Sequence, residues 1–412
     1  MAERYRIVDV SQGWAGPMVG FMLSLFGAEV IKVESARYFD WWRGSPHPDA
    51  LPGDQRHEMS PTHNSVNRNK LGVTIDLAMP EGKALLHELL AVSDAFVENY
   101  PPNVMPGLGF APHEVTARHP RLVMLSMPAF GGTGPDALYR GFGTTVDAMA
   151  GIALAQGYTD GPPLLTPNAY GDPTSGLTGA FAVLAALRER ERTGRGRQIE
   201  LSELEATIPH GSERLLEWPA MGVNPERRGA RRPEMAPHGS YPSLPAENGP
   251  RWIVIGCRDD ADWCALRAAL DDPEWARDPA LDTLAGRLTH HDAIDARLGA
   301  WTATRTHREA METLQLFGVP AGAALSSSEV LYDPHLHDRG FHVSSVHPVM
   351  GTALYPGPVI RMSKTPPSAI RPAPLLGEHT NMVLRDILGK SDGEIGALRS
   401  TGVLDNQPRR KG

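Results

Sequence analysis

Asp172 is the residue of this 412-residue chain whose type and position best suit covalent chemistry. It lies in the run Tyr-Gly-Asp-Pro-Thr-Ser-Gly at residues 170–176, directly before a helical pattern. A helix N-terminus would keep the carboxylate ionised, as a nucleophile must be, and the small residues Gly171, Ser175 and Gly176 would let a substrate approach. The run also fits an ordinary helix start with Asp as the N-cap and Pro in the first turn. The spacing alone leaves both interpretations open.

Two other turns follow predicted strands and could contact a ligand. Residues 13–17 lack the G-x-G-x-x-G spacing, so the nicotinamide-cofactor fingerprint is absent, and this turn could be structural or ligand-binding. Residues 98–102 read Glu-Asn-Tyr-Pro-Pro. Asn99 and Tyr100 could hold a nucleotide base or a pantetheine chain there, or Asn99 could cap the next segment.

Motifs for other kinds of chemistry are missing. The paired histidines at 290–291 and at 335 and 337 have no acidic or cysteine companions at a recognisable spacing, so no metal site is predicted. The sequence has no G-x-S-x-G elbow and no P-loop. The two cysteines, Cys257 and Cys264, are too few for a disulfide scaffold, and we interpret both as core thiols.

Composition is typical of a soluble globular protein, with 41% hydrophobic and 21% charged residues. The net charge of -8 argues against a nucleic-acid-binding surface but leaves room for a local phosphate pocket. No signal peptide is recognisable, and no apolar run approaches the roughly 20 residues needed to cross a bilayer. We therefore expect a cytoplasmic protein without nucleic-acid or membrane partners.

The elements that would position these residues alternate between strand and helix. Short apolar runs are followed by helical patterns, the longest of which covers residues 174–192. Such repetition predicts an α/β fold with a parallel sheet, because a strand–helix–strand unit brings its two strands side by side in the same direction through a right-handed crossover. The predicted strands are residues 7–10, 29–33, 72–77, 95–100, 122–127 and 198–201.

Composition also predicts the domain organisation. A large Rossmann-like domain would begin with residues 1–216, and the Pro-, Gly- and Arg-rich residues 217–250 would form a linker. Residues 251–332, with one strand and three helical stretches, would form a smaller α+β domain. Residues 333–412 would return to the large domain and complete it.

With these residues assembled, the sequence resembles the class III CoA transferases of the CaiB/BaiF family, which include formyl-CoA:oxalate and carnitine CoA transferases. Each matching motif is weak by itself, but their order and spacing along almost the whole chain are specific. The motifs are residues 15–17, 27–34, 67–70, 97–100, 171–172, 192–197 and 373–380.

The resemblance implies both an assembly and a reaction. Two subunits would interlock, as a homodimer or as a heteromer with a homologous chain. Asp172 would attack an acyl-CoA to give a mixed anhydride and then an aspartyl-CoA thioester, from which a carboxylic acid would take the coenzyme A. Coenzyme A would be a substrate, and neither a tightly bound cofactor nor a metal would be required.

The family's ligand contacts carry over to this chain in part. The coenzyme A contacts would be Trp14, Ala15, Ile75, Asn99, Tyr100 and Arg140, with Arg140 holding a phosphate. His238, Gly239 and Ser240 resemble a substrate loop that approaches the active site, although a plain turn fits them equally. The chain departs from the family pattern where basic residues are frequent, at Ser35 (with Arg37 nearby) and Gly107, and where an acid is frequent, at Gly143.

Two alternatives remain. A 2-methylacyl-CoA racemase of the same fold would need two acid/base groups, and the His of that branch aligns with Phe142, which cannot transfer protons. The lost basic positions could also indicate a non-catalytic, CoA-binding subunit of a heteromeric transferase. Asp172 argues against this second alternative, because such a subunit need not keep it.

Overall fold

The computed structural model describes residues 5–44, 55–224, 226–247, 249–367 and 370–408. The chain divides into two compact units. The large unit comprises Met1–Leu154, Leu164–Asn224 and Arg339–Gly412, and the small unit comprises Ala155–Pro163 and Pro225–Asp338. No helix in the described part of the chain is both long enough and apolar enough to cross a lipid bilayer.

The strands lie in three sheets. In chain order they are β1 (Arg6–Asp9), β2 (Glu29–Glu34), β3 (Leu71–Thr74), β4 (Ala95–Glu98), β5 (Val123–Ser126), β6 (Gln198–Glu200), β7 (His238–Ala246), β8 (Gly249–Gly256), β9 (Ala321–Ala323), β10 (His342–His347) and β11 (Gly351–Pro356). β1 to β6 form one parallel sheet, β7 to β9 an antiparallel sheet, and β10 and β11 an antiparallel pair.

The helices follow the same chain order. They are α1 (Ala15–Leu25), α2 (Pro61–Val66), α3 (Pro80–Ala91), α4 (Val104–Gly107), α5 (Pro112–Arg118), α6 (Gly143–Met149), α7 (Ile152–Ala155), α8 (Gly171–Thr193), α9 (Glu203–Thr207), α10 (Ser212–Met221), α11 (Asp260–Ala269), α12 (Leu284–Thr289), α13 (His291–Thr302), α14 (His307–Leu316), α15 (Ser327–Leu331), α16 (Pro334–Asp338), α17 (Thr380–Met382) and α18 (Asp392–Ser400). A π-helical turn, Val383–Ile387, follows α17 directly.

The large unit is built on the six-stranded parallel sheet, which confirms the predicted α/β fold class. Its strand order is β3-β2-β1-β4-β5-β6, the doubly wound order of Rossmann-like folds. The chain direction across the sheet reverses between β1 and β4, so the loops after these two strands diverge and leave a crevice at their carboxyl ends. The turns singled out in the sequence, at residues 13–17 and 98–102, lie at those two loops, although residues 15–17 belong to α1 and residue 98 ends β4.

Each face of this sheet is covered by a separate hydrophobic core. On one face, α1 and α8 pack through buried side chains such as Val19 and Val183. On the other face, α3 packs together with C-terminal residues, including Leu384 and Leu404. Residues from both ends of the chain therefore share one core, which fixes the strand ends that face the crevice.

The small unit contains a core of its own. Ile253 and Ile255 on β8 pack against Trp263 and Leu266 on α11, and Ile294 on α13 closes the cluster. Cys257 is buried, as predicted, but Cys264 is exposed. The prediction for Cys264 is wrong because the next position after Trp263 on α11 is rotated out of the buried face of the helix and meets solvent.

Within the predicted linker at 217–250, the described residues between α10 and β7 lie outside helices and named strands as expected, but both ends of the segment belong to regular elements. The expected boundary at residue 216 falls inside α10, and His238–Ala246 forms β7. Proline and glycine made this segment look like a loop, but its hydrogen bonds are supplied by antiparallel pairing with β8. Alternate residues of β7, including Tyr241, are buried, which is the pattern of a half-buried strand.

Candidate functional site

A cleft of about 290 Å³ lies at the carboxyl end of the parallel sheet in the large unit. The loops after β1, β4 and β5 and the segment before α6 supply most of its wall. Its lining includes Gln12, Gly13, Trp14, Trp41, Asn99, Tyr100, Pro128, Ala129, Tyr139, Arg140, Phe142, Asp172 and Glu203. The cleft thus brings together four of the residues predicted to contact coenzyme A and the predicted nucleophile.

Asp172 is the second residue of α8 and is not its N-cap. The helix begins three residues before the predicted start, and Tyr170 occupies the N-cap position. The carboxylate of Asp147 on α6 accepts hydrogen bonds from the backbone N–H groups of Tyr170 (3.0 Å) and Gly171 (2.9 Å). Because another acid satisfies these amides, the capping interpretation of Asp172 is wrong, and its half-buried carboxylate faces the cleft.

The carboxylate of Asp172 lies where three helices begin. It accepts hydrogen bonds from the backbone N–H groups of Ala15 and Gly143, the first residues of α1 and α6, and it stands in the first turn of α8 itself. A Cβ atom added to Gly143 would lie 1.8 Å from Oδ2 of Asp172. The absence of a side chain at Gly143, noted above as a departure from the family pattern, is what lets the carboxylate occupy this place.

The helix N-terminus was expected to favour the ionised form of Asp172, but the pKa of this carboxyl group is raised. Burial in the first place and the nearby charge of Asp147 in the second raise the pKa of Asp172 to about 6, against the opposing effect of the N–H groups of Ala15 and Gly143. A carboxylate desolvated in this way is a better nucleophile than one fully surrounded by water. The group is ionised above about pH 6 and is protonated as the pH falls below that value.

The loop after β1 is held by the half-buried side chain of Asn99 and the buried side chain of Asp40. Asn99 accepts a hydrogen bond from the backbone N–H of Gln12 (2.8 Å) and donates one to its carbonyl (2.9 Å). Asp40 accepts the N–H of Gly13 at 2.9 Å and forms an ion pair of 3.0 Å with Lys32. Asn99 therefore positions the loop that precedes α1, in addition to lining the cleft.

A second buried ion pair fixes the first turn of α1. Lys70 lies 2.8 Å from Asp9, and its ammonium group also donates hydrogen bonds to the carbonyl of Pro17 and to Asn67. The sequence motifs contained Lys32, Asn67 and Lys70 without indicating a role for them. Their position shows that they support the backbone that presents the N–H of Ala15 to Asp172.

Five of the six predicted coenzyme A contacts reach the site, in two different ways. Trp14, Asn99, Tyr100 and Arg140 line the cleft, and Arg140 is the one cation among its described lining residues. Ala15 is buried and reaches the site through its backbone N–H.

Two expectations about the site are not met in the described structure. Ile75 is only 1% exposed and belongs to the hydrophobic core, so the structure does not bring it to the cleft. His238, Gly239 and Ser240 form the start of β7 and not a loop, because they pair with β8. Their role at the substrate stays a prediction.

Glu203 and Trp41 also line the cleft, and no sequence motif described above singles out either residue. Trp41 and Trp14 both contact Trp42, with ring centroids 5.8 and 5.6 Å apart, and form an aromatic wall of the cleft. Glu203 is the first residue of α9, and its side chain is 4% exposed. An acid directly after a Ser N-cap is usually a solvated first-turn residue, so no sequence signal distinguished Glu203.

The donor set of the cleft suits an organic anion. Within the described ranges, no group of three His, Cys, Asp or Glu side chains is placed to hold a metal ion. The cleft instead offers one guanidinium, backbone N–H groups, an aromatic wall and two carboxyl groups. This arrangement can bind a phosphate or carboxylate beside a carboxylate nucleophile.

Known proteins resemble this chain along nearly its whole length. The model of CoA-transferase family III matches residues 3–380. A succinyl-CoA–D-citramalate CoA-transferase of Chloroflexus aurantiacus is 32% identical over 400 residues, covering 97% of each chain. A formyl-CoA:oxalate CoA-transferase of Rhodopseudomonas palustris is 31% identical over 427 residues, covering 98% of this chain and 97% of the relative.

A relative named as a beta subunit and a solved structure are also similar. The beta subunit of a succinyl-CoA–L-malate CoA-transferase of Chloroflexus aurantiacus is 34% identical over 403 residues, covering 97% of each chain. The crystal structure of a CaiB/BaiF family protein from Brucella suis superposes with a TM-score of 0.82 at 27% identity, covering 93% of this chain and 98% of that one.

Proposed function

The chain belongs to CoA-transferase family III and is a CoA transferase, and we propose that it carries the transferred group on Asp172. The observation that supports this most directly is the carboxylate itself. It faces the cleft and accepts two backbone hydrogen bonds, and it does not cap α8 because Asp147 binds the amides at the start of that helix. A carboxylate used only to start a helix would need none of these arrangements.

The proposed reaction proceeds through two kinds of covalent intermediate. An oxygen of Asp172 attacks the thioester carbon, the C–S bond breaks, and the CoA thiolate leaves a mixed anhydride behind. The thiolate then attacks Cγ of Asp172, the anhydride C–O bond breaks, and the donor acid departs as a carboxylate. The acceptor carboxylate attacks the resulting aspartyl-CoA thioester, and the same steps in reverse give the new acyl-CoA and free Asp172.

The backbone N–H groups of Ala15 and Gly143 would stabilise the charge that develops in these steps. When the thiolate attacks Cγ of Asp172, negative charge accumulates on an oxygen of this group, whose carboxylate accepts hydrogen bonds from these two N–H groups. Donors fixed in place before the reaction lower the barrier without needing to reorganise. Helix beginnings at both donors add a favourable dipole.

The substrates are proposed from the cleft and from the relatives. A volume of about 290 Å³ is smaller than a whole acyl-CoA, so only part of that substrate can lie inside the cleft. The named relatives act on succinyl-CoA or formyl-CoA with citramalate, malate or oxalate. We infer a small dicarboxylic acid as acceptor and succinyl-CoA as donor, with Arg140 binding a CoA phosphate and Trp14, Asn99 and Tyr100 contacting the rest of coenzyme A.

We also propose that the chain forms a homodimer. Large apolar side chains remain exposed on α8 and α10, including Phe181 (74% exposed), Trp218 (56%) and Met221 (72%). Exposed apolar surface of this kind usually marks an interface. The similarity to a beta subunit makes a heteromer with a homologous chain the alternative.

Racemisation is disfavoured by the same cleft. Phe142 lines it at the position where a racemase of this fold would need a proton-transferring His. Exchange of the α-proton with deuterated water, in the absence of acyl transfer, would favour the racemase instead.

The Asp172→Asn variant tests the proposed role of Asp172. With succinyl-CoA and radiolabelled succinate, we expect label exchange into the thioester to fall by about three orders of magnitude, because the amide is a poor nucleophile. Asp386→Asn, an exposed acid in the π-helical turn, is the matched control and should exchange normally. Exchange retained by the Asp172→Asn variant would remove Asp172 from the reaction.

A further inference from the structure

Glu203 is a second carboxyl group in the cleft, and the reaction proposed above makes no use of it. Its backbone is docked beside the exit of β5, since its N–H donates to the carbonyl of Pro128 (3.3 Å) and the N–H of Leu204 donates to that of Ala129 (2.9 Å). Its side chain is 4% exposed and lines the cleft together with Asp172. The helix start therefore directs a buried acid towards the reacting carboxylate.

No cation balances Glu203 within the described residues. Burial and the charge of Asp172 both disfavour the ionised form of the Glu203 carboxyl group. Among the described residues, neither an ion pair nor a hydrogen bond stabilises that form. A buried, unpaired carboxylate is strongly disfavoured relative to the neutral acid. In agreement, burial in the first place and the charge of Asp172 in the second raise the pKa of Glu203 to about 8. At neutral pH Glu203 therefore carries its proton, and it can donate a hydrogen bond.

We propose that Glu203 is a neutral hydrogen-bond donor that binds a carboxylate oxygen of the acid substrate beside Asp172. This inference rests on the proposed function, because it assigns Glu203 to the acid that leaves or enters the aspartyl-CoA thioester. The residue would determine specificity for the carboxylate and would not be the nucleophile. No bond to Glu203 forms or breaks, and its proton stays on the side chain throughout.

The charge in the cleft stays the same through the proposed cycle. One negative charge resides on Asp172 at the start, on the CoA thiolate after the first step, and on the departing acid once Asp172 is a thioester. A neutral Glu203 can stay close to each of these species and is itself kept protonated by them. An ionised Glu203 would repel all three, so binding of the acid should weaken when Glu203 loses its proton.

The pH dependence of acid binding should therefore report on Glu203. The titratable groups on the elements that pack against α9 near the cleft are Asp172 on α8, Asp147 on α6 and His210 in the turn that follows α9. Tyr100, Tyr139 and Arg140 line the same cleft. Because the pKa of Glu203 is raised, the donor is present at neutral pH and is lost as the pH rises through about 8.

Two variants of Glu203 and one control test the proposal in the exchange of radiolabelled succinate with succinyl-CoA. Glu203→Leu removes the donor, and we expect the KM for succinate to rise about tenfold or more at neutral pH with a smaller change in kcat. Glu203→Gln keeps a neutral donor, so its KM should stay within about threefold of wild type and should no longer rise above pH 8. Glu205→Gln, an exposed acid on the same helix, should match wild type.

The outcomes separate this inference from the proposed function. If Asp172→Asn abolishes exchange while Glu203→Leu retains the wild-type KM, the covalent reaction stands and the role of Glu203 is overturned. An alkaline rise in KM that persists in Glu203→Gln, or a Gln variant as impaired as Leu, also overturns it. Circular dichroism shows whether the Glu203→Leu variant is folded. If that variant is unfolded, the dependence of KM on pH in the isosteric Glu203→Gln variant tests the role of Glu203.

Discussion

At the residue scale, the site depends on which acid performs which task. Asp147 caps α8, Asp172 is left facing the cleft, and Glu203 is buried with no balancing cation in the described part of the chain. Neighbouring carboxyl groups with different surroundings have different protonation states at the same pH, and this difference assigns their roles. Asp172, with a pKa of about 6, is ionised at neutral pH, whereas Glu203, with a pKa of about 8, is not.

Replacing Gly143 tests how Asp172 is held. In Gly143→Ala the new methyl group would overlap Oδ2 of Asp172, since an added Cβ lies 1.8 Å from it. We expect exchange activity to fall by about two orders of magnitude and stability to fall by about 1–3 kcal/mol from overpacking. Succinate exchange and thermal unfolding measure the two effects.

A glycine with free space around it provides the control for this substitution. Gly396 lies inside α18, and a Cβ there would meet nothing within 4 Å. Gly396→Ala should leave exchange unchanged and stabilise the helix by about 0.5–1 kcal/mol. A Gly143→Ala variant with full activity would show that Asp172 does not need the place it occupies.

The sequence identified Asp172 as the candidate nucleophile, but it did not predict the groups that surround its carboxylate. The Gly-Asp-Pro run and the family motifs single out one aspartate. The contacts from Ala15 and Gly143 join three segments far apart in the chain, so no local pattern could predict them. Glu203 was missed for the same reason, because its burial depends on the β5 exit and on α8, whereas its local pattern is that of a solvated helix start.

At the element scale, the parallel sheet was predictable and one part of the small unit was not. Five of the six parallel strands are mostly buried, and all six were recognised, including β6, whose Gln198 and Glu200 are exposed. β3 ends at Thr74, three residues before the predicted end. β7 contains Pro242 and Pro245 and was interpreted as part of a linker. Its pairing with β8 is a tertiary contact that overrides the weak strand propensity of its sequence.

The start of the long helix α8 is also decided by tertiary contacts that the local sequence does not show. The pattern predicted a start at Thr174, whereas α8 begins at Gly171. The additional residues are helical because Asp147 on α6 binds the amides of Tyr170 and Gly171. The cap that decides where α8 begins therefore comes from another helix, and this shift changes Asp172 from a cap into a functional group.

At the scale of the whole molecule, the apolar face of α8 and α10 should be covered by a second copy of the chain. We predict that the wild-type protein is a dimer in solution. Phe181, which is 74% exposed in the single chain, would be covered in that dimer, so Phe181→Glu should weaken it by placing a charge in the interface. Light scattering after size-exclusion chromatography measures the mass. Leu316→Glu, also at a highly exposed position (85%) but in the small unit, should remain dimeric. A monomeric wild-type protein would favour the heteromer.

The transfer of oxygen from the acid to the enzyme tests the central claim most directly. An acceptor carboxylate labelled with oxygen-18 that attacks the aspartyl-CoA thioester must leave one labelled oxygen on the aspartate when the anhydride is resolved. After turnover with succinyl-CoA and labelled succinate, mass spectrometry of the digested protein should find the label on Asp172. Label on another residue, or exchange of succinate without label on Asp172, would contradict the covalent role assigned to this carboxylate.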